Sequence, residues 1–169
     1  MVKSTSYNIR LASEIDSQPI AEVHVLSWQK IYAGLIPENI LKELSVLERK
    51  QQWNNLINQG VKVLVVEFNG QIVGFASICH FRDSDADSKQ GEISAIYIHP
   101  DYWRKGLGKK LCKAAIAELE SMGFYEILLW VLKGNIQACK FYESLGFIET
   151  SAIKTEEWFD GVLLQEILY

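Results

Sequence analysis

The residues best suited to chemistry lie between Tyr97 and Lys110, where an apolar segment gives way to a basic one that contains glycine. This stretch reads Tyr-Ile-His-Pro-Asp-Tyr-Trp-Arg-Lys-Gly-Leu-Gly-Lys-Lys. The first turn of a helix has backbone N–H groups without intrahelical partners, and glycine lets an anion approach them closely. If a helix begins at Gly106, the turn that contains Gly106 and Gly108 is suited to bind a phosphate group.

The charges around these glycines favour the same interpretation. Cations at a helix N-terminus oppose the helix dipole, so they are expected there mainly when an anion binds. No acidic residue follows until Glu118. The alternative is that these side chains form an ordinary solvated basic face. The cations of this segment are Arg104, Lys105, Lys109, Lys110 and Lys113.

Two common nucleotide-binding patterns do not fit. A dinucleotide fingerprint requires a third glycine at the position that Leu111 occupies. The spacing of a P-loop, G-x-x-x-x-G-K-S/T, does not occur. A strand, a turn with the sequence Arg-Lys-Gly-Leu-Gly-Lys and a helix remain.

The composition predicts one domain over residues 1–169. The chain has 169 residues, 49% of them hydrophobic and 22% charged, as in an ordinary globular protein. Its net charge of −4 argues against nucleic acid as a partner. Three cysteines without metal-ligand spacing are typical of a reducing compartment, and no apolar run is long enough to cross a bilayer. We therefore expect a cytoplasmic protein with no membrane or nucleic-acid partner.

The hydrophobic pattern predicts the order β, helices, β-hairpin, β, α, β, α, β, β, which is a mixed α/β sheet. The third helix, which Ser45 caps, is expected to place Leu47 and Trp53 inward. The apolar stretch 126–132 is predicted to be one strand covered on both faces. The last two strands are predicted at 147–155 and 162–169, joined through Asp160-Gly161.

Two motifs resemble those of the GNAT superfamily of N-acetyltransferases. The segment 97–108 resembles its acetyl-CoA motif, in which Arg or Gln is followed by two residues, Gly, any residue, and Gly or Ala. The segment 135–147, Asn-Ile-Gln-Ala-Cys-Lys-Phe-Tyr-Glu-Ser-Leu-Gly-Phe, resembles its later N-x-x-A-x-x-F-Y-x-x-x-G-F motif. The resemblance covers residues 62–150 and extends more loosely to both ends. It implies a GNAT-like acyl-CoA N-acyltransferase fold, with a mostly antiparallel twisted sheet and helices on both faces.

The resemblance also implies acetyl-CoA as the cosubstrate and assigns residues to it. The main chain of the strand that precedes the turn would bind the pantetheine arm like an added strand, and Asn135 would hydrogen-bond the same arm. Trp103 stands where the motif has Arg or Gln, so phosphate binding is expected to depend on the backbone N–H groups of the turn. Trp103 itself is expected to pack at the rim of the sheet. The predicted cofactor-binding residues are Ile96, Tyr97, Ile98, Arg104, Lys105, Gly106, Leu107, Gly108, Lys109, Asn135 and Tyr142.

The resemblance implies transfer of an acetyl group to a primary amine of a small molecule or peptide by direct attack, without an acyl-enzyme. Tyr142 matches the position from which many relatives protonate the leaving thiolate, and a tyrosine with a pKa of about 10 can act as this acid. The alternative is an aromatic ring that only packs beside Phe141. Glu92 is the predicted general base, acting through a water; the alternative is a solvent-facing acid at the end of a strand.

The acceptor is the part of the function that the sequence specifies least. Trp28 and Tyr32 lie four residues apart on a helix and could line the acceptor pocket, or they could be core aromatics. The acidic segment 83–87 lacks the later ligands of a calcium loop, so no metal is expected. A homodimer is compatible with the resemblance. The alternative function is a non-catalytic acyl-CoA sensor.

Overall fold

The computed structural model describes residues 6–169, and the chain forms two compact units. The first unit ends at Ile127, and the second comprises Leu128–Tyr169, so the boundary falls inside a short strand whose first two residues belong to the first unit. The prediction of a single domain over 1–169 stays a prediction.

The first unit is built on a five-stranded sheet with the order β1-β2-β3-β4-β5. The pairs β1–β2, β2–β3 and β3–β4 are antiparallel. Asn69 and Gly70 join β2 to β3 with φ of 51° and 82°, the left-handed values that a two-residue hairpin turn requires. The strands are β1 Tyr7–Leu11, β2 Lys62–Phe68, β3 Gln71–His80, β4 Gln90–Ile98 and β5 Glu126–Leu128.

Four helices lie between residues 6 and 127 of the first unit. Ser45 caps α3 as predicted, because its hydroxyl accepts a hydrogen bond from the Glu48 N–H. A short 3-10 turn, Glu14–Asp16, precedes α1. The helices are α1 Ser17–Ile31, α2 Glu38–Lys42, α3 Val46–Asn58 and α4 Leu107–Ser121.

Helices cover both faces of this sheet, as predicted. On one face, side chains of α1 and α3 pack against the odd-numbered residues of β2. Side chains alternate along a strand, so Leu64 and Val66 point to the opposite face, which α4 covers. The first core consists of Ile20, Val23, Trp53, Val63, Val65 and Phe75.

The prediction for Leu47 is wrong, since 63% of this residue is exposed. Trp53, Leu56 and Ile57 pack in the core, and they define one face of α3. Counting back by four residues from Trp53 gives Arg49, whereas Leu47 lies off this face.

The second unit contains β6 Trp130–Leu132, α5 Ile136–Ser144, β7 Ile153–Phe159 and β8 Val162–Leu168. Its three strands form an antiparallel sheet with the order β6-β8-β7. Gly161, with φ of 75°, lies in the predicted turn between β7 and β8.

Two predicted strands have wrong bounds. The stretch 126–132 is not one strand, because Leu129 pairs its backbone with Tyr169 at distances of 2.9 and 3.0 Å, and the chain changes sheets there. The strand predicted at 147–155 begins instead at Ile153 and continues to Phe159, because its register follows from the tight turn to β8.

Candidate active site

The N-terminus of α4 has the backbone geometry that the sequence predicted for a phosphate site. Gly106 caps the helix with a left-handed φ of 76°, and the first turn holds no acidic residue. The first intrahelical hydrogen bond runs from the Lys110 N–H to the Gly106 carbonyl at 3.2 Å. The N–H groups of Leu107, Gly108 and Lys109 precede it, so they lie where a helix has free donors.

The turn before α4 adds cations and a second left-handed residue. Arg104 has a φ of 60°, and it is exposed together with Lys105 and Lys109. Left-handed residues in such a turn direct successive N–H groups toward a common side, which favours anions. The Lys105 ammonium lies 4.6 Å from the ring centroid of Tyr102. The turn therefore combines convergent backbone donors with positive charge.

Trp103 attaches this turn to the end of β4. Its indole N–H donates a 2.7 Å hydrogen bond to the Ile98 carbonyl. The Ser27 hydroxyl donates to the same oxygen at 3.3 Å. Trp103 thus acts as the predicted rim residue, and the Ile98 carbonyl already has two protein donors.

A β-bulge divides β4 in the middle. Ala95 lies opposite Ser77 and Ile93 lies opposite Ile78, so Ser94 is an extra residue on β4. The Ser94 hydroxyl donates to the Ser77 carbonyl at 3.2 Å. A bulge bends its strand and increases the local twist, so the second half of β4 leaves the direction of the first half.

The pairing pattern decides which backbone groups of β4 face the outer edge. The His99 N–H donates to the Val73 carbonyl at 2.8 Å, so the main chain of His99 faces β3. Main-chain groups alternate in direction along a strand, so the main chain of Tyr97 also pairs with β3. The main-chain groups of Ile96 and Ile98 consequently point away from β3. Of the three predicted pantetheine-binding residues, these two present their backbone to the opposite edge.

The neighbouring strand β5 borders only the first part of β4. The Tyr125 N–H donates to the Lys89 carbonyl at 2.9 Å, so both strands begin at the same end of the sheet. β4 has nine residues and β5 has three. The second half of β4 therefore extends past the end of β5.

Glu92, the predicted base, lies on the first half of β4 and is only 1% exposed. Its carboxylate accepts three hydrogen bonds from Arg82: from Nη2 at 2.6 Å, and from Nε and the backbone N–H at 3.1 Å each. Glu92 is therefore not a solvent-facing acid. It lies four residues, about 13 Å of extended strand, before Ile96, so proton transfer to Glu92 would require water.

Aromatic side chains line the face of β4 that α1 and α3 cover. The Tyr97 ring stacks on His24 with centroids 5.5 Å apart, and its hydroxyl lies 3.2 Å from that of Tyr32. Trp28 meets Tyr32 edge to face at 5.1 Å. The structure thus brings the predicted acceptor residues Trp28 and Tyr32 together with Tyr97.

Arg49 belongs to this cluster, although the sequence analysis did not select it. Its guanidinium carbon lies 5.5 Å from the ring centroid of Trp28, and the side chain is half-buried. The available signal was its helical spacing, since Arg49 lies one turn before Trp53 on the inward face of α3.

The predicted residues of the second unit occupy α5. The Asn135 side chain caps this helix by accepting a hydrogen bond from the Ala138 N–H at 3.2 Å. Tyr142 is 9% exposed, and its ring packs edge to face with Phe141 and Phe147 at 5.3 and 5.8 Å. The roles of Asn135 and Tyr142 toward acetyl-CoA stay predictions.

The cysteine environments do not favour a nucleophile. Burial raises the pKa of the Cys112 thiol to about 12. Burial also raises the pKa of Cys79, and the nearby charge of Glu92 adds to this effect. A thiol must ionise to attack an acyl group, so neither residue is suited to form an acyl-enzyme.

No group of three or more His, Cys, Asp or Glu side chains among residues 6–169 could hold a metal ion. No helix among those residues has the length and apolar character needed to span a membrane.

Comparisons with known proteins agree with this geometry. The sequence model described as "Acetyltransferase (GNAT) family" matches residues 27–147. The chain is 34% identical over 127 residues to the uncharacterized N-acetyltransferase YuaI of Bacillus subtilis (strain 168), which covers 75% of this chain and 72% of that protein. It is 30% identical over 163 residues to the L-amino acid N-acyltransferase MnaT of Escherichia coli (strain K12), which covers 94% and 92% of the two chains.

A solved structure shows the same fold. The crystal structure of PaiA N-acetyltransferase from Thermoplasma acidophilum in complex with coenzyme A matches with a TM-score of 0.72 and 23% identity, over 97% of this chain and 99% of that one. The predicted fold class and enzyme class are confirmed. Because the family match spans most of the chain and includes both motifs, the chain belongs to the GNAT family and is an acetyl-CoA-dependent N-acetyltransferase.

Proposed function

We propose that this enzyme transfers the acetyl group of acetyl-CoA directly to a neutral primary amine, without an acyl-enzyme. The observation that carries the proposal is the continuous arrangement of β4, the turn at Arg104 and the N-terminus of α4. The outward backbone of Ile96 and Ile98 lies at one end of this arrangement, and the N–H groups of Leu107 and Gly108 lie at the other. It fits a ligand with an extended amide chain at one end and a diphosphate at the other.

The diphosphate would bind to the N–H groups of the first turn of α4. Gly106 and Gly108 leave room for close approach, and Arg104, Lys105 and Lys109 supply compensating charge. The pantetheine arm would extend along the outer edge of β4, where Ile96 offers both main-chain groups. The Ile98 carbonyl has two protein donors already, so Ile98 would contribute mainly its N–H.

The chemistry requires a neutral amine, a polarised thioester carbonyl and a protonated leaving group. The amine lone pair forms a C–N bond at the carbonyl carbon, and a β4 N–H can stabilise the oxyanion that develops. Collapse of this intermediate breaks the C–S bond and expels the thiolate. We assign protonation of the thiolate to the Tyr142 hydroxyl and removal of the amine proton to Glu92 through water.

Glu92 has an environment that orients a carboxylate. Arg82 holds both of its oxygens, and burial in β4 restricts its movement. Its role would be to receive the proton from a water chain that begins at the amine.

The burial of the aromatic cluster beside the second half of β4 supports a small acceptor. Trp28 and Tyr97 are half-buried and Tyr32 is 6% exposed, so these rings leave little surface for a folded protein and favour a small molecule. The name of the relative MnaT, an L-amino acid N-acyltransferase, is in keeping with a small amine.

The test is an initial-velocity study in which acetyl-CoA and a reactive amine are varied together and free thiol is monitored. Direct transfer predicts intersecting double-reciprocal lines and protein of unchanged mass after incubation with acetyl-CoA alone. Parallel lines with a mass increase of one acetyl group would overturn direct transfer. Coenzyme A binding without turnover of any amine would favour the sensor instead.

A further inference from the structure

Arg49 lies on the face of α3 whose other residues are apolar. Trp53, Leu56 and Ile57 follow it at intervals of four, seven and eight residues, and all three pack in the core. The Arg49 side chain is half-buried against the Trp28 ring. Placing a guanidinium on this face costs desolvation energy, so its presence needs a reason.

The protein does not neutralise this charge. The Arg49 Nη1 donates a 2.8 Å hydrogen bond to the Gln52 side-chain oxygen, which is uncharged. Among residues 6–169, no Asp or Glu forms an ion pair with Arg49. Burial lowers the pKa of Arg49, and the nearby Tyr97 and Glu48 raise it only in part.

Two other arginines of the first unit show the usual solution. Arg10 lies 2.8 Å from carboxylate oxygens of both Asp16 and Glu67. Arg82 lies 2.6 Å from Glu92. The planar fork of an arginine suits the two oxygens of a carboxylate, and Arg49 retains N–H groups for such a partner.

Arg49 lies near the part of β4 where we propose that the acceptor binds. Its guanidinium lies over Trp28, which meets the ring of Tyr32, and the Tyr32 hydroxyl lies 3.2 Å from that of Tyr97. Tyr97 is on the half of β4 that follows the bulge, where we place the thioester. An anion on Arg49 would therefore lie on the aromatic face proposed for the acceptor.

We propose, on the basis of the proposed function, that Arg49 binds a carboxylate of the acceptor. The substrate class is then a small amino acid that carries its reactive amine and its carboxylate in one molecule. A polyamine does not fit this site, because its remaining ammonium groups would face the guanidinium. Arg49 determines specificity and takes no part in proton transfer.

The test compares matched acceptors with the wild-type enzyme and with Arg49→Gln. A panel of free L-amino acids is assayed beside the corresponding carboxamides and beside putrescine, with thiol release as the readout. We expect the wild type to prefer the acid over its amide by about 10- to 100-fold in kcat/KM, the range of a charge-assisted hydrogen bond. In Arg49→Gln this preference disappears, mainly through a higher KM for the acid.

Two control variants distinguish carboxylate binding by Arg49 from a general effect of positive charge. Lys50→Gln removes the same charge from an exposed neighbouring position of α3 and should keep the preference. Arg49→Lys keeps the charge but loses the fork, so it should retain part of the preference. All three variants should bind coenzyme A like the wild type, which shows that the fold is intact.

The results test carboxylate binding by Arg49 separately from direct acetyl transfer. Carboxylate binding by Arg49 would be overturned if amides or putrescine were turned over at least as well as the acids. It would also be overturned if the preference for acids survived in Arg49→Gln. Either result would leave direct transfer in place. If no amine is acetylated, calorimetry with N-acetyl amino acids and their amides still tests the site. Equal affinity for the acid and the amide would then overturn carboxylate binding by Arg49. Selective binding of the acid that is lost in Arg49→Gln would support it.

Discussion

The Trp53 indole N–H donates a 3.0 Å hydrogen bond to Nδ1 of His24, beneath the ring of Tyr97. This bond needs a lone pair on Nδ1, so the ring proton resides on Nε2 and the imidazole is neutral. Burial, helped by the positive charge of Arg49, lowers the pKa of His24 to about 3. His24 is therefore a structural residue between Trp53 and Tyr97 and is unsuited to act as a base.

The first prediction concerns the effect of pH on stability. Below pH 6.5 the unfolded state binds a proton on His24 and the folded state does not, so His24 reduces stability as the pH falls from about 6.5 toward 3. The slope is at most about 1.4 kcal/mol per pH unit. His24→Gln keeps a hydrogen-bond acceptor for Trp53 but does not titrate. Between pH 6.5 and 4.5 the free energy of unfolding of this variant should fall by roughly 2 kcal/mol less than that of the wild type.

Urea unfolding at a series of pH values measures this difference. The value at pH 8 gives the packing cost of the variant and serves as the internal control, since His24 is neutral there in both states. An NMR titration of the ring provides an independent measurement. A His24 that titrates near pH 6.5 in the folded protein would contradict the prediction.

The second prediction concerns the pair formed by Glu92 and Arg82. Arg82→Gln leaves a buried carboxylate with one backbone donor, which should destabilise the fold by about 1–3 kcal/mol, a range reduced by the exposure of Arg82. Glu92→Gln removes the buried charge itself, so it should cost less stability. Activity should show the reverse order: if Glu92 is the base, Glu92→Gln loses about 100-fold or more in kcat/KM.

Thermal unfolding and steady-state kinetics of both variants test whether the losses of stability and of activity follow opposite orders. Arg82→Gln is the matched control, because it disturbs the same ion pair and keeps the carboxylate. A wild-type kcat/KM in Glu92→Gln would remove Glu92 from the mechanism and leave it a purely structural residue.

The parts of the fold that follow from local signals were predictable from the sequence. Asn69-Gly70 specifies a turn whatever lies around it, and Gly106 marks a helix start because few other residues adopt its φ of 76°. The break at Leu129 has no such signal. Its neighbours are all apolar, and the change of sheet depends on pairing with Tyr169, forty residues later.

The candidate site was predictable to the same extent. The proposed phosphate site lies in one continuous segment, so its residues could be named in advance. The partner of Glu92 could not, because Arg82 reaches it across the loop that joins β3 to β4, whose conformation has no local sequence signal. Arg49 could have been found from helical spacing, but a charge on an inward face is usually judged a surface residue until its contacts are known.

The third prediction concerns the left-handed start of α4. A methyl group at Gly106 would meet no atom within 4 Å, so Gly106→Ala costs only backbone strain, about 1 kcal/mol. Relief of this strain would turn the neighbouring N–H groups, and we expect coenzyme A to bind several-fold more weakly. Calorimetric titration with coenzyme A provides the measurement.

Gly123 provides a matched control at the other end of the same helix. Its φ is 89°, and a methyl group there would also meet no atom within 4 Å. Gly123→Ala should cost similar stability and leave the affinity for coenzyme A unchanged. Equal losses of affinity in the two variants would mean that the N-terminus of α4 does not bind the diphosphate.

The last prediction concerns the Tyr142 hydroxyl. Tyr142→Phe keeps the ring that packs with Phe141 and Phe147, so the second unit should remain folded. Loss of the acid should lower kcat by about 100-fold or more and leave the affinity for coenzyme A nearly unchanged. Tyr125→Phe, which deletes a hydroxyl from a side chain that is 82% exposed, is the control and should behave as wild type.

The acidity of the leaving thiol gives this prediction a second readout. A thiolate from a more acidic thiol needs less help from an acid, so the deficit of Tyr142→Phe should shrink with an acetyl thioester of such a thiol. A structural defect would slow both donors equally. An equal loss with the two donors, or a wild-type rate with acetyl-CoA, would show that Tyr142 does not protonate the leaving group, and the source of that proton would then have to be solvent.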